Sequence, residues 1–175
     1  TVEERFSNQL VEAGILASER MVVEENNLLK SMRAIAFTQG VPEALAEKDP
    51  EKLRTLTFGE IANTRLDHVV FLDLEGGLVF SALHVEGGNV EEYNFSTGDG
   101  TLFFQQPFVQ AVINQTLDDK GNKFAGYVHI QQTPYFYVSG PVYGENNEMK
   151  GVLLIGTSMK ELVQQIREET LAQIS

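Results

Sequence analysis

The residues with the most evident chemistry are aromatic and polar side chains in two neighbouring β-type segments. Side chains alternate between the two faces of a strand. We therefore expect Tyr127 and His129 to lie on one face of the first segment, and Tyr135 and Tyr137 on the matching face of the second. Aromatic walls with a few polar groups are typical of small-molecule sites. Phe103, Phe104 and Phe108 are expected to close the site from the opposite side. The candidate ligand-binding residues are Phe104, Phe108, Tyr127, His129, Tyr135 and Tyr137.

No arrangement of residues indicates catalysis or a resident metal. The chain has no cysteine, which excludes thiol catalysis, disulfides and Cys-ligated zinc. Its histidines, His68, His84 and His129, lie on or beside different predicted strands and lack the i, i+4 spacing of a helix-borne zinc site. A phosphate-binding glycine loop and a Gly-x-Ser-x-Gly motif are both missing from the sequence. We expect no catalytic residue, no metal, no cofactor and no enzymatic activity.

The net charge of the chain limits the kinds of molecule that it is expected to bind. The chain carries 25 acidic and 13 basic residues, for a formal net charge of −12. Such a balance repels phosphate backbones, so nucleic acid is not an expected partner. Between Arg65 and Lys120 there is no Lys or Arg, and a site built by this segment must meet anions with neutral donors. A neutral, amine-bearing or largely apolar ligand therefore suits the sequence better than an anion.

The elements that position these residues begin with a long helix. Apolar or small residues recur from Phe6 to Ile35 at spacings of three, four or seven, and Gly40 and Pro42 end the pattern. A helix over residues 1–38 would be about 57 Å long. Because the remainder of the chain is too small to cover such a helix, we expect a homodimer formed through residues 6–35.

From Asp67 onward the sequence has the texture of strands and turns. Residues 85–103 contain four glycines and few periodic apolar positions, and we interpret them as a long irregular loop. Shorter helices are predicted at Pro42–Lys48, Pro50–Arg65, Pro107–Thr116 and Lys160–Ile174. The five predicted strands are His68–Leu74, Leu78–Leu83, Lys123–Gln131, Tyr135–Tyr143 and Lys150–Ser158, the third and fourth joined across Gln132–Pro134. The fold class is α+β with an antiparallel sheet.

Three of these segments carry a resemblance to a known family. The first strand runs into Asp-x-Glu-Gly-Gly at residues 73–77, and much later come Tyr135–Tyr143, a turn with Asn146 and Asn147, and Lys150–Ser158. This combination resembles the Cache family of PAS-like extracytoplasmic sensor domains. The resemblance implies a single domain over 1–175 with a five-stranded PAS-like sheet, a long N-terminal helix and a closing C-terminal helix.

The resemblance also implies a function. In its terms, residues 1–66 are a helical N-terminal part, 67–158 the sheet, and 159–175 a helix directed towards the membrane. A small molecule would bind between the sheet and residues 85–116 and shift the terminal helices, which membrane spans flanking this sequence would connect to a cytoplasmic output. Such a receptor is located in the cell membrane with this domain on the periplasmic or extracellular side.

Two other functions remain open at the level of sequence. One is a cytosolic PAS- or profilin-like interaction domain that binds no ligand. The other is a small acidic hydrolase, since so acidic a chain offers many carboxylates for acid–base catalysis.

Overall fold

A computed structural model describes residues 2–115 and 121–174 of the chain. The helices in this part are α1 (Val2–Ala36), α2 (Val41–Ala46), α3 (Pro50–Asn63), α4 (Thr101–Phe104), α5 (Pro107–Ile113) and α6 (Met159–Ile174). The strands are β1 (His68–Leu72), β2 (Gly77–His84), β3 (Tyr93–Asp99), β4 (Phe124–Ile130), β5 (Thr133–Tyr143) and β6 (Met149–Ser158).

The predicted long helix is present as one continuous element of 35 residues. It ends before Gly40, whose φ of 91° is a left-handed conformation that glycine adopts without strain. Its last turns pack on the sheet, where Leu28, Met32 and Ile35 are buried. Farther towards the N-terminus the apolar positions of the predicted stripe lie outside the described side chains, at Phe6, Leu10, Ala13 and Ala17.

The strands form one antiparallel sheet in the order β3-β2-β1-β6-β5-β4. All five predicted strands are present, and the sheet has a sixth. The additional strand, β3, lies within residues 85–103, so the prediction of an irregular loop there was wrong for Tyr93–Asp99. It is an edge strand in which Tyr93 is buried and most later residues are exposed, so its sequence lacks the sustained alternation that marks a strand.

Each face of the sheet is covered by a different set of helices. On the first face, α1, α2 and α3 pack over a core that includes Phe71, Phe136 and Leu153. On the second face, α4 and α5 pack over Val70, Tyr137 and other residues of a separate core. The hydroxyl of Ser139 on β5 donates a hydrogen bond to the carbonyl oxygen of Phe108 at 2.6 Å, which fixes α5 on the second face.

Candidate functional site

A cavity of about 560 Å³ lies at one end of the sheet, which we call the end cavity. At this end β1 and β5 begin and β2 and β6 finish, so the wall is made of strand termini. Both terminal helices also reach it, α1 in its middle and α6 in its first turns. Among the lining residues are Glu24, Asp67, Glu86, Tyr135, Ser158 and Lys160.

The loop between β2 and β3 forms one side of the end cavity. Gly87 has a φ of 74°, which allows the chain to turn there. The ring of His84 lies with Nε2 2.7 Å from the carbonyl oxygen of Asn89, and the Asn89 N–H donates to the Glu92 carboxylate at 3.1 Å. These local hydrogen bonds hold the loop beside the ends of the strands.

Asp67 connects three of the strand termini. Its carboxylate oxygen Oδ2 accepts hydrogen bonds from the backbone N–H of Ser158 at 2.9 Å and from the hydroxyl of Thr157 at 3.1 Å. Its backbone carbonyl accepts from the N–H of His84 at 2.8 Å. The start of β1 is therefore tied to the ends of β2 and β6.

The first turn of α6 is held by further residues of the same wall. The Ser158 hydroxyl accepts a hydrogen bond from the N–H of Lys160 at 3.2 Å and so caps the helix. The ammonium of Lys160 forms an ion pair with Glu86 on the β2–β3 loop. The cavity wall and the anchorage of α6 are thus built from the same side chains.

The electrostatics of the end cavity are dominated by carboxylates. The lining contains the acids Glu24, Asp67 and Glu86 together with the cations Arg65 and Lys160, and Glu86 is paired with Lys160. Burial, and then the charge of Asp67, raise the pKa of Glu24 above its ordinary value of 4.5. The end cavity therefore favours a ligand group that carries positive charge.

Behind the cavity lies an aromatic cluster, defined here as His68, Phe103, Phe108, Tyr135 and Tyr137. The imidazole Nδ1 of His68 and the hydroxyl of Tyr137 are hydrogen-bonded at 2.7 Å in the buried centre of the cluster. Burial lowers the pKa of His68 to about 4 and raises that of Tyr137. Phe103 and Phe108 pack against the Tyr137 ring, with centroids 5.6 and 6.4 Å away.

Tyr135 belongs to both the cluster and the end cavity. Its ring packs against those of His68 and Tyr137, with both centroids 6.1 Å away, while the residue also lines the cavity. Burial is the main cause that raises the pKa of Tyr135, followed by the carboxylates of Asp67 and Glu86. It is the predicted site residue that the structure places in the cavity wall.

The prediction that Tyr127 and His129 share a face with Tyr135 and Tyr137 was wrong. In the β4–β5 pairing Val128 lies opposite Tyr135, whereas Tyr127 lies opposite Phe136 and packs against it on the other face of the sheet. Both Tyr127 and His129 are exposed. The cause is the hairpin turn, which has two residues, Gln131 and Gln132, where the sequence predicts three.

The predicted phenylalanines lie on the second face of the sheet, where Phe103 and Phe108 pack against Tyr137. Phe108 is buried in the aromatic cluster, and its ring occupies the space over Gly126, where a side chain would collide with it. Phe104 packs in the same way over Gly76. Since Gly76 lies between the end of β1 and the start of β2, Phe104 is at the opposite end of the sheet from the end cavity.

Most of the cavity lining was not predicted. Asp67, His84, Ser158 and Lys160 lie at or just beyond the ends of predicted elements, where a sequence pattern assigns no face. The sequence feature that could have identified them is their position. Asp67 comes just before the first predicted strand, His84 just after the second, and Ser158 ends the last. In an antiparallel sheet these termini meet at one end.

Two structural findings concern other classes of site. Within residues 2–115 and 121–174, no group of three or more His, Asp or Glu side chains is arranged to hold a metal ion. In the same part of the chain, no helix combines the length and the apolarity needed to cross a bilayer.

The fold is similar to that of solved sensor domains. The Escherichia coli DcuS sensor domain superimposes with a TM-score of 0.57 at 18% identity, over 81% of this chain and 93% of DcuS. The ligand-binding domain of the Campylobacter jejuni chemoreceptor Tlp3, in complex with 4-methylisoleucine, gives 0.63 at 12% identity, over 94% of this chain and 62% of that one. A domain of a sensory box/GGDEF family protein from Vibrio parahaemolyticus gives 0.60 at 15% identity.

The superposition on the Vibrio domain includes 94% of this chain and 64% of that domain. The chain therefore spans less than two thirds of the length of some of these relatives. No curated protein sequence matches it. These similarities define the fold, a mixed α+β domain with one antiparallel sheet.

The family follows from the sequence itself. The CHASE4 domain model matches residues 22–175, and the chain belongs to the CHASE4 family. The expected class of sensor domain is supported, and the family that matches is CHASE4. The finer assignment to the Cache family stays a prediction.

Proposed function

We propose that this domain is the extracytoplasmic ligand-binding input of a membrane-bound signalling receptor. Membership of the CHASE4 family and a fold shared with sensor domains of kinases and chemoreceptors support this class of function. The observation that carries the proposal is the composition of the end cavity, whose wall includes Glu24 of α1 and Lys160 and Leu162 of α6. A molecule bound there contacts both terminal helices at once.

The proposed mechanism requires only that the ligand bind two arrangements of the terminal helices with different affinity. The two helices pack against each other, and the start of α6 is held by residues of the cavity wall. Binding changes the contacts of those residues and so the position of α6. Membrane spans connected to α1 and α6 would carry the change across the bilayer, and the domain itself binds its ligand without converting it.

The lining favours an amine-bearing ligand. Three carboxylates and two cationic side chains surround the cavity, and one of each is engaged in the Glu86–Lys160 pair. A ligand ammonium placed near Asp67 and Glu24 would balance the excess negative charge of the lining. Its hydrogen bonds to the carboxylates would be charge-assisted, and such bonds are stronger than neutral ones. The Tyr135 ring supplies an aromatic surface beside these groups.

Of the predicted ligand contacts, the proposal keeps Tyr135. Phe108 and Tyr137 are proposed to support it as a packed wall, because their rings stack on each other and cover Gly126 and Gly156. Phe104 covers Gly76 at the opposite end of the sheet and has no part in the proposed site. Tyr127 serves as a matched control, since it is a tyrosine of the neighbouring strand on the opposite face.

We expect Tyr135→Ala to weaken ligand binding roughly tenfold, which corresponds to about 1.4 kcal/mol, and Tyr127→Ala to leave it unchanged. Ligands would be found by a thermal-shift screen of amines, zwitterionic amino acids and dicarboxylates, and affinities measured by isothermal titration calorimetry. Binding is expected to weaken in Tyr135→Ala because the variant loses the contact between the tyrosine ring and the bound ligand. Equal affinity in both variants would place the site elsewhere, and turnover of the bound compound would favour the hydrolase.

We also propose that the receptor is a homodimer formed through α1. Val22 and Val23, at adjacent positions of α1, are 57% and 58% exposed. We expect the double substitution Val22→Glu and Val23→Glu to weaken dimerisation measured by sedimentation equilibrium. Leu102→Glu, at a 46% exposed position in α4, is the control. A wild-type chain that stays monomeric, or a charged variant that dimerises normally, would contradict the proposal.

A further inference from the structure

We propose that Asp67 is the positioning residue through which the end cavity controls α6. The inference rests on the proposed function in one respect, because it takes the end cavity as the ligand site. It adds the residue that links occupancy of that cavity to the movement of the helix.

The first step is the double placement of the Asp67 carboxylate. It lines the end cavity, and its Oδ2 accepts from the N–H of Ser158, the last residue before α6, and from the hydroxyl of Thr157. A ligand ammonium that binds either oxygen of this carboxylate shares its negative charge with both donors and weakens their hydrogen bonds. Occupancy of the cavity therefore acts directly on the hydrogen bonds at the strand–helix junction.

The second step concerns what else holds the start of α6. The side chain of Ser158 caps the N–H of Lys160, and Lys160 is paired with Glu86 on the exposed surface. Exposed ion pairs contribute little to stability, about 0–1 kcal/mol. The half-buried Asp67 bonds, one of them to a backbone N–H, are thus the stronger attachment.

The third step is the space around Asp67. A second cavity of about 370 Å³ lies between α1 and the sheet, and Glu24, Asp67 and Thr157 belong to the lining of both cavities. Close-packed interiors resist small displacements. A side chain bordered by two cavities is able to exchange hydrogen-bond partners without repacking a core, which suits Asp67 to a switching role.

The test measures the position of α6 by pulsed electron paramagnetic resonance. Since the chain has no cysteine, Phe37→Cys and Val163→Cys give two unique labelling sites. Phe37 is 81% exposed just after α1, and Val163 is 41% exposed in α6. We expect one narrow distance population in this doubly labelled protein, diluted with unlabelled protein, and a second population when Asp67→Ala is added.

The matched control is Asp99→Ala. Asp99 also accepts from a backbone N–H and a hydroxyl, both of Thr101, but it lies at the opposite end of the sheet from α6. We expect no second population in this variant and a reduced one in Asp67→Asn, which keeps an oxygen acceptor. If Asp67→Ala fails to fold, Thr157→Val removes one donor and is expected to show the same second population. A folded Asp67→Ala or Thr157→Val protein with the wild-type distances would overturn the proposal.

A cation separates control of α6 from simple structural support. Propylammonium chloride, compared with sodium chloride at equal ionic strength, is expected to induce the second population in the otherwise wild-type protein and to have no effect on Asp67→Ala. No response in the wild-type background, or an equal response in Asp67→Ala, would overturn the proposal. A metabolite screen without any hit would instead overturn the proposed function. The second population that Asp67→Ala produces in the absence of ligand would be unaffected by that result.

Discussion

Replacing Gly156 by alanine is expected to destabilise the domain by about 1–3 kcal/mol, the usual effect of overpacking a core. Gly156 lies on β6 directly opposite His68 on β1 and Tyr137 on β5. The side chains of His68 and Tyr137 reach over β6 and form their hydrogen bond in the space that a side chain at position 156 would occupy. An added Cβ would lie within 3.0 Å of the Tyr137 ring.

The collision is not easily relieved. The atoms nearest the new Cβ belong to the body of the Tyr137 ring, and that ring is fully buried and stacked against Phe108. Urea unfolding followed by circular dichroism measures the change. The control is Gly59→Ala in α3, where a Cβ meets no atom within 4 Å. That substitution is expected to stabilise the protein by about 0.5–1 kcal/mol because glycine is unfavourable inside a helix. Two variants with the same sign would contradict this account.

The second expected result is a loss of stability in acid that depends on His68. Burial lowers the pKa of His68 from 6.5 to about 4 in the folded protein. Between these pH values the unfolded chain binds a proton that the folded protein does not, so the free energy of unfolding increases with pH over this window. The contribution is complete above about pH 6.5 and is lost as the pH falls towards 4. A shift of this size corresponds to about 3 kcal/mol.

The measurement is the difference between the pH profiles of wild-type and His68→Phe proteins, each from urea unfolding at a series of pH values. We expect the His68→Phe profile to be flatter between pH 4 and 6.5. The matched control is His129→Gln, which replaces an exposed histidine outside the aromatic cluster and keeps the wild-type slope. Parallel profiles for wild-type and His68→Phe proteins would show that His68 is solvated or already charged in the fold.

The main elements of this fold could be predicted because their sequence patterns are local. An uninterrupted apolar period specified α1, and short runs of β-branched and aromatic residues specified five of the strands. The sixth strand, β3, escaped prediction because its exposed half, through Gly98 and Asp99, carries turn-forming residues. At an edge, hydrogen bonds to one neighbour are sufficient to hold such a segment in the sheet.

The faces of β4 could not be predicted because they depend on one turn. The predicted connection of three residues, Gln132–Pro134, would place Gln131 opposite Tyr135. The structure instead has a two-residue turn at Gln131 and Gln132, which have φ values of 50° and 71° and pair Ile130 with Thr133. Two-residue turns of this kind usually contain Asn or Gly. Two glutamines gave no such signal, and the difference of an odd number of residues reversed every side chain of β4.

The end cavity was beyond prediction for a different reason. Its wall combines α1, the residues just before β1, the end of β2 with the loop that follows it, the start of β5 and the β6–α6 junction, which are far apart in the chain. Asp67 and Ser158, for example, are separated by 91 positions. Such proximity is set by strand order and register, which composition and periodicity do not specify.

The junction between β6 and α6 has a consequence for engineering. The strand ends at Ser158 and the helix begins at Met159, so no flexible residue separates them. Because β6 is paired on both sides, its orientation fixes the angular phase of α6 about the helix axis. Inserting a single residue would rotate the helix by about 100° and advance it by about 1.5 Å. A module fused after α6 therefore keeps its orientation to the sheet only when the connecting helix changes length by about seven residues, close to two whole turns.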